Sequence, residues 1–374
     1  MREYFATVAR GIELLAAKEL ESLGASSVSP DFCGVSFKGD LQLLYKVNLW
    51  ARLPFRILVK IDEFVGRDAK ELYRGVQNID WQQYLTPDRT LAVSATGKND
   101  SLNHTHFTAL QVKNAIVDRQ VEELGERSNI DPKSPDVKVN VHIRDDRCII
   151  SLDSSASSLH RRGYRPAVGV APLKESLAAA LIKLSGWEAD VAFFDPLCGS
   201  GTLPLEASLK ALNIAPGLFR PHFGFQNWPD FDRQLWDKLV GEANLKRQER
   251  LKIPIMGSDR SEEALKVART NANLCGVEKE VKFIQAELEQ VESPSDRGLL
   301  LCNPPYGKRI GNPQQLGKFY KLLGNVLKQR FKNWTAFILS GNKELAKTIG
   351  LKSSKRIPVY NGTIQCQLMK YELY

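Results

Sequence analysis

The 374-residue chain predicts an α/β protein in which an open, mostly parallel sheet follows smaller α+β units. Three observations carry this expectation. From residue 172 onward, short apolar runs alternate with amphipathic helical stretches, the rhythm of a parallel sheet. Before residue 155 the alternation is tighter and ends in a hairpin pattern. Residues 299–302 (Leu-Leu-Leu-Cys) read as a strand buried on both faces, stopped by Asn303, Pro304, Pro305, Tyr306 and Gly307. Neither proline can donate to a strand ladder, and Pro304 holds Asn303 extended. Asn303 is thus presented at a strand's carboxyl end, where open α/β sheets bind ligands.

Taken in order, residues 4–9 read as a strand and 12–23 as a helix, with apolar positions 12, 16, 20 and 23 and a stop at Gly24. A strand near 35–37, a helix over 40–50 capped by Asp40, and a strand over 54–64 complete a first small unit, 1–64. A second unit, 65–155, holds a helix over 68–76, a strand over 90–96 and an amphipathic helix over 107–124. Its hairpin spans 137–143 and 148–152, where Val137, Val139, Val141 and Ile143 alternate with polar residues.

Residues 156–171 change character and read as a basic connection to a catalytic half, 172–374. His160, Arg161, Arg162, Tyr164 and Arg165 can pair with phosphates and stack on bases, although a solvated linker has the same composition. In the catalytic half, strands are expected at 191–194, 253–256, 281–284, 299–302 and 335–339, with a last β-rich run over 363–371. Helices are expected over 173–184, 202–212, 261–275 and 314–330. Residues 213–250 exceed a minimal β-α-β unit, and their Phe, Trp and Pro content suits a lid or a packing insert alike.

Composition narrows the function. Hydrophobic content of 43% and charged content of 25% are those of a globular chain, and a net charge of +9 suits a polyanionic partner. There is no apolar run long enough for a membrane span and no apolar signal-peptide core after Met1, so a cytoplasmic protein with no membrane partner is expected. Six cysteines without a Cys-x-x-Cys pair argue against zinc and against a disulfide framework, so no metal is expected.

The turn Asp195-Pro-Leu-Cys-Gly-Ser-Gly-Thr202 lies between a strand and a helix. It contains no Lys, which disfavours a nucleoside-triphosphate loop, and it lacks the third glycine of a dinucleotide fingerprint. Asp195 would repel a pyrophosphate but can accept a hydrogen bond from an α-ammonium group. Asp259, at the end of the next strand, is placed for ribose hydroxyls. A cofactor with an amino-acid end, a nucleoside end and no phosphate is S-adenosylmethionine.

That turn, together with Asn303-Pro-Pro-Tyr306, resembles the class I amino-group methyltransferases. Ala95-Thr-Gly-Lys-Asn-Asp100, Ser158-Leu-His-Arg-Arg-Gly-Tyr-Arg165 and Ala171-Pro-Leu-Lys-Glu175 resemble the THUMP-domain RNA guanine-N2 methyltransferases, over nearly the whole chain. The resemblance implies ferredoxin-like and THUMP domains ahead of a Rossmann-like catalytic sheet, and a guanosine in 23S rRNA or its precursor as substrate. It implies cofactor contacts from Asp195, Cys198, Gly199, Ser200, Gly201, Thr202, Asp259, Glu287 and Asn303, and catalysis at Asn303, Pro304, Pro305 and Tyr306. Glu287 departs from the family, which carries Asp there to reach the adenine amino group. Related proteins fuse this half to a second methyltransferase; the sequence stops at Tyr374, so the resemblance does not imply a second activity. A tRNA guanosine, an adenine N6 amine and a non-enzymatic assembly factor are the alternative readings.

Overall fold

The computed structural model describes residues 1–165, 173–306 and 313–374. Pro166, Ala171, Pro172 and Gly307 lie outside the described residues. The chain forms two compact units. One comprises Met1–Val8, Ala16–Leu159 and Pro221–Val240; the other comprises Ala9–Leu15, His160–Arg220 and Gly241–Tyr374.

To residue 153 the elements are β1 (Arg2–Thr7), α1 (Glu13–Ser22), β2 (Ser26–Asp31), β3 (Gly34–Gly39), α2 (Leu41–Trp50), β4 (Arg56–Val65), α3 (Ala69–Gln77), β5 (Leu91–Lys98), α4 (Thr105–Leu124), β6 (Val137–Arg144) and β7 (Arg147–Asp153). Their strands form one sheet in the order β2-β3-β1-β4-β7-β6-β5. The expected division at residue 64 does not interrupt it, because β4 pairs antiparallel with β1 and with β7. Asp40 caps α2 by accepting from the Leu43 N–H at 2.8 Å. The alternating Val137, Val139, Val141 and Ile143 are all buried. β2 escaped the sequence reading because it is a polar edge strand (Ser-Ser-Val-Ser-Pro-Asp), which period-2 hydrophobicity cannot reveal.

The segment 221–240 packs inside this first unit, which decides for a packing insert. Phe225 stacks on Tyr45 with ring centroids 4.4 Å apart, and Trp236 meets Tyr45 edge-on at 6.0 Å. The Asp232 N–H donates to the Tyr45 hydroxyl at 2.9 Å.

The remaining elements are α5 (Glu175–Ser185), β8 (Ala192–Asp195), α6 (Thr202–Ala211), α7 (Arg233–Leu245), β9 (Ile255–Asp259), α8 (Glu262–Leu274), β10 (Val281–Gln285), β11 (Gly298–Cys302), α9 (Pro313–Arg330), β12 (Thr335–Ser340), α10 (Lys343–Thr348), β13 (Lys355–Asn361) and β14 (Ile364–Glu372). The second sheet runs β10-β9-β8-β11-β12-β14-β13. It is parallel from β10 to β12, and β14 is antiparallel to both of its neighbours. Successive side chains of its central strands feed opposite faces. Phe193, Leu299, Leu301, Phe337 and Leu339 join the core with Leu177, Leu181 and Leu205. Phe194, Leu300, Cys302, Ala336 and Ile338 join the other core with Tyr320, Leu323 and Leu327. Burial on both faces is why these strands read as continuous apolar runs. No helix among the described residues is long and apolar enough to cross a membrane.

Candidate active site

The order of the second sheet reverses beside β8, with β9 on one side and β11 on the other. Such a reversal opens a crevice at the strands' carboxyl ends. Asp195 ends β8, Asp259 ends β9, and Asn303 follows β11 directly.

Three glycines shape the loop between β8 and α6. Gly199 and Gly201 have φ of +51° and +81°, which L side chains rarely adopt. A β-carbon on Gly199 would meet no atom of the described residues within 4 Å. Gly257 in β9 lets the loop cross closely, since a β-carbon there would sit 2.9 Å from the Cys198 Cβ and Sγ. The loop is then pinned by hydrogen bonds. The Cys198 N–H donates to the Ser258 carbonyl at 2.9 Å, and the Gly199 N–H donates to Asp259 Oδ2 at 2.9 Å. Asn271 of α8 donates from Nδ2 to the Ser200 carbonyl at 3.0 Å. The second Asp259 oxygen accepts from the Ser261 N–H at 3.0 Å.

Asp195 is 2% exposed, and its Oδ1 accepts from the Leu197 N–H at 3.0 Å. Burial pushes its carboxyl up to about 8, against the pull of the Leu197 hydrogen bond and with some help from the negative Asp259. Such an acid ionises readily only when a cation arrives beside it. Across the crevice, Asn303 Oδ1 is shielded from solvent and accepts no hydrogen bond from any described residue. Leaving a buried polar atom unsatisfied costs about 1–3 kcal/mol, so this oxygen marks a place for a ligand's donor. Pro304 is buried and Pro305 half-buried. The Tyr306 hydroxyl accepts from Asn361 Nδ2 at 2.8 Å and from the Cys366 thiol at 3.5 Å. Burial raises its pKa, so it stays a neutral phenol. Glu287 is exposed just beyond β10, in a chain turn tied back by the Ala286 N–H to the Asp259 carbonyl at 3.1 Å.

The stretch read as an RNA-binding linker is largely internal. Arg162 and Tyr164 are 2% and 1% exposed and converge on Glu206 of α6. The Arg162 Nε lies 3.4 Å and the Tyr164 hydroxyl 3.0 Å from Glu206 Oε1. Arg165 pairs with Glu175 at 3.3 Å and donates to the Thr202 hydroxyl, so its charge and that hydroxyl are engaged within the unit. His160 is held down to about 4 by burial and by the surrounding Lys174, Arg161, Arg162 and Arg165, so it is neutral at physiological pH. Arg162, Tyr164 and Arg165 are thus corrected from RNA contacts to supports of α6. Arg161 keeps an exposed side chain. Composition alone could not separate these roles, because a buried Arg needs a carboxylate that lies 44 residues away.

Residues 162–370 match the family model described as RMKL-like, methyltransferase domain. The chain belongs to this family. Ahead of the methyltransferase domain, residues 66–153 match the THUMP domain and residues 3–58 the RlmL ferredoxin-like domain. This RMKL-like methyltransferase is 52% identical to a Synechocystis sp. protein provisionally named an RNA methyltransferase, over 100% of this chain and 97% of that one. It is 43% identical to the ribosomal RNA large subunit methyltransferase K/L of Syntrophotalea carbinolica over 99% of this chain, spanning 53% of that protein's length. A crystal structure of SMU.472, described as a methyltransferase complexed with SAH, superposes with a TM-score of 0.90 at 32% identity, covering 100% of this chain and 98% of that one.

Two site residues of the RMKL-like methyltransferase escaped the sequence reading. Gly257 left no signal, because close loop passage is a tertiary fact. Asn271 left one: it is a fully buried amide on the helix face that buries Leu265, Ala268 and Ala272. A polar residue on such a face needs a partner, and the glycine loop supplies it.

Proposed function

We propose that this chain transfers a methyl group from S-adenosylmethionine to the exocyclic N2 amine of a guanosine in 23S rRNA. The observation that carries the amine is the buried Asn303 Oδ1 at the end of β11, which accepts no hydrogen bond from a described residue. The ribosomal substrate is supported by the 43% identity to a K/L ribosomal RNA large subunit methyltransferase, and the guanosine by the resemblance of residues 95–100 and 158–165 to the guanine-N2 methyltransferases. The cofactor fits the opposite wall: Asp195 for an ammonium group, Gly199 and Gly201 for close approach, Asp259 for hydroxyls, and Glu287 near the base. When bound, it supplies a methyl group on a positively charged sulfur, an electrophile that needs no metal or redox partner.

The chain's own residues address the nucleophile. Guanine's N2 lone pair is delocalised into the ring, so the amine is planar and weakly nucleophilic. Asn303 Oδ1 and the Pro304 carbonyl accept its two N–H bonds and favour a tetrahedral nitrogen. Two hydrogen-bond acceptors fixed in advance lower the barrier without a preceding base. The Tyr306 ring is a stacking surface for the base, a contact worth roughly 1–3 kcal/mol. A base inside a helix cannot enter a crevice at strand ends, so the target is flipped or unpaired. The first unit holds RNA mainly by shape and phosphate contacts, in the cytoplasm.

Nucleoside mass spectrometry of rRNA and tRNA from a deletion strain tests the substrate. One N2-methylguanosine is expected to disappear from 23S rRNA; loss of a tRNA nucleoside or of N6-methyladenosine instead would overturn it. For the mechanism, Asn303→Ala is expected to abolish transfer while cofactor affinity stays within about tenfold, the signature of an interaction needed only in the transition state. Wild-type turnover in that variant would refute it.

A further inference from the structure

We infer that Asn361, at the end of β13, is a positioning residue for base capture, fixing the Tyr306 ring from the hairpin at the edge of the sheet. The inference rests on the proposed stacking role of Tyr306. A stacking surface works only if the ring is held at one angle before the base arrives, and a Tyr on a loop after two prolines lacks strand hydrogen bonds to hold it. The structure supplies the restraint at both ends of the side chain.

At the tip, the phenolic oxygen accepts from the Asn361 amide at 2.8 Å and from the Cys366 thiol of β14 at 3.5 Å. Two donors aimed at one oxygen fix the long axis of the ring. At its edge, a β-carbon on Gly341, just beyond β12, would lie 2.8 and 2.9 Å from Tyr306 Cδ2 and Cε2. Only hydrogen lets that backbone and the ring approach so closely, so Gly341 sets the rotation about the long axis. Asn361 is itself placed by pairing with Ile364 across the hairpin. Its neighbour Tyr360 lies under the Arg10 guanidinium, 4.8 Å from the ring centroid, and close to Gly11. None of Asn361, Cys366 or Gly341 lies in the strand-end crevice formed by β8, β9 and β11. Their role is confined to the acceptor side, and cofactor binding does not depend on them.

The test is a double-mutant cycle in the full chain, with unmethylated 23S rRNA from a deletion strain and methyl-labelled S-adenosylmethionine. Asn361→Ala is expected to lower kcat/KM roughly tenfold to a hundredfold, the range for a misplaced reacting group. Cofactor affinity should stay within about twofold, because the cofactor does not use the ring angle, and filter-binding affinity for the RNA should fall by no more than about tenfold, because phosphate contacts carry most of it. Tyr306→Phe removes the anchored oxygen and should show the same loss, and the double variant should lose no more than either single one. Losses that multiply would mean that Asn361 acts through general hairpin stability and would overturn the inference, as would an unimpaired Asn361→Ala. Tyr306→Ala separates the two readings. If it retains full turnover, the stacking role fails; if it is inactive while Asn361→Ala is unimpaired, only the positioning role fails.

Discussion

Two residues show how burial converts ordinary side chains into site chemistry. Asp195 carries a carboxyl pushed up to about 8 by burial. Its folded-state pKa lies above the unfolded value, so the stability it contributes is present below the unfolded pKa and lost as pH rises through about 8. In the proposed function an ammonium group beside Asp195 favours the ionised form, so below that value cofactor binding would expel a proton. Cofactor affinity measured by calorimetry is therefore expected to rise roughly tenfold per pH unit between about pH 6 and 7.5. Asp195→Asn should flatten that slope; an unchanged slope would remove Asp195 from the ammonium site. Arg162 is the second residue. Its guanidinium and the Glu206 carboxylate are 1% and 0% exposed, so cutting one partner strands the other. Arg162→Ala is expected to lose about 3–5 kcal/mol in denaturant unfolding. Arg161→Ala should change stability by less than about 0.5 kcal/mol, as exposed substitutions do. It should instead weaken RNA binding and reduce the salt slope by about one. If Arg162→Ala weakened RNA binding without loss of stability, the internal role assigned to it would be wrong.

At the scale of elements, the site is made by three strand ends and the loop leaving one of them. The apolar runs of β8 and β11, the Gly-Ser-Gly turn, the Ser261 cap of α8 and the Asn-Pro-Pro stop were all legible, because each is a local pattern with a local cause. β13 was not legible, since it is an edge strand interrupted by Pro358 and paired only through β14. β13 ends at Asn361. The clamp from α8 yields an element-level prediction. Asn271→Leu removes the donor to the Ser200 carbonyl and buries an unpaired acceptor in the loop. Cofactor affinity should fall about tenfold, the equivalent of one lost hydrogen bond, while RNA affinity stays unchanged. Equal affinities for wild type and variant would show that the loop holds its shape through its glycines alone.

At the scale of the molecule, sequence order and spatial order part company. Residues 221–240 follow α6 of the catalytic unit, yet they belong to the first unit and cover Tyr45 with Phe225 and Trp236. Phe225 is 1% exposed, so Phe225→Ala is expected to destabilise by about 3–5 kcal/mol. The loss should appear as reduced amide-exchange protection in β1, β3, β4 and α2, while turnover of the surviving folded protein is unchanged. Protection lost only in β8–β14 would place the segment's role elsewhere. Residues 160–165 look like a solvated tether because they are basic and follow serines, but the charges of Arg162 and Arg165 are answered by Glu206 and Glu175.

The sequence by itself determined the two-sided parallel sheet, the loop at its first strand and the placing of Asn303 at a strand's carboxyl end. Hydrophobic periodicity, proline and glycine act over a few residues and need no partner to be read. Tertiary structure alone decided which basic residues are buried, which glycines admit a close neighbour, and that a hairpin near the chain's end holds Tyr306. Those are outcomes of contacts between residues tens of positions apart, whose partners become known only when the sheet has set its strand order.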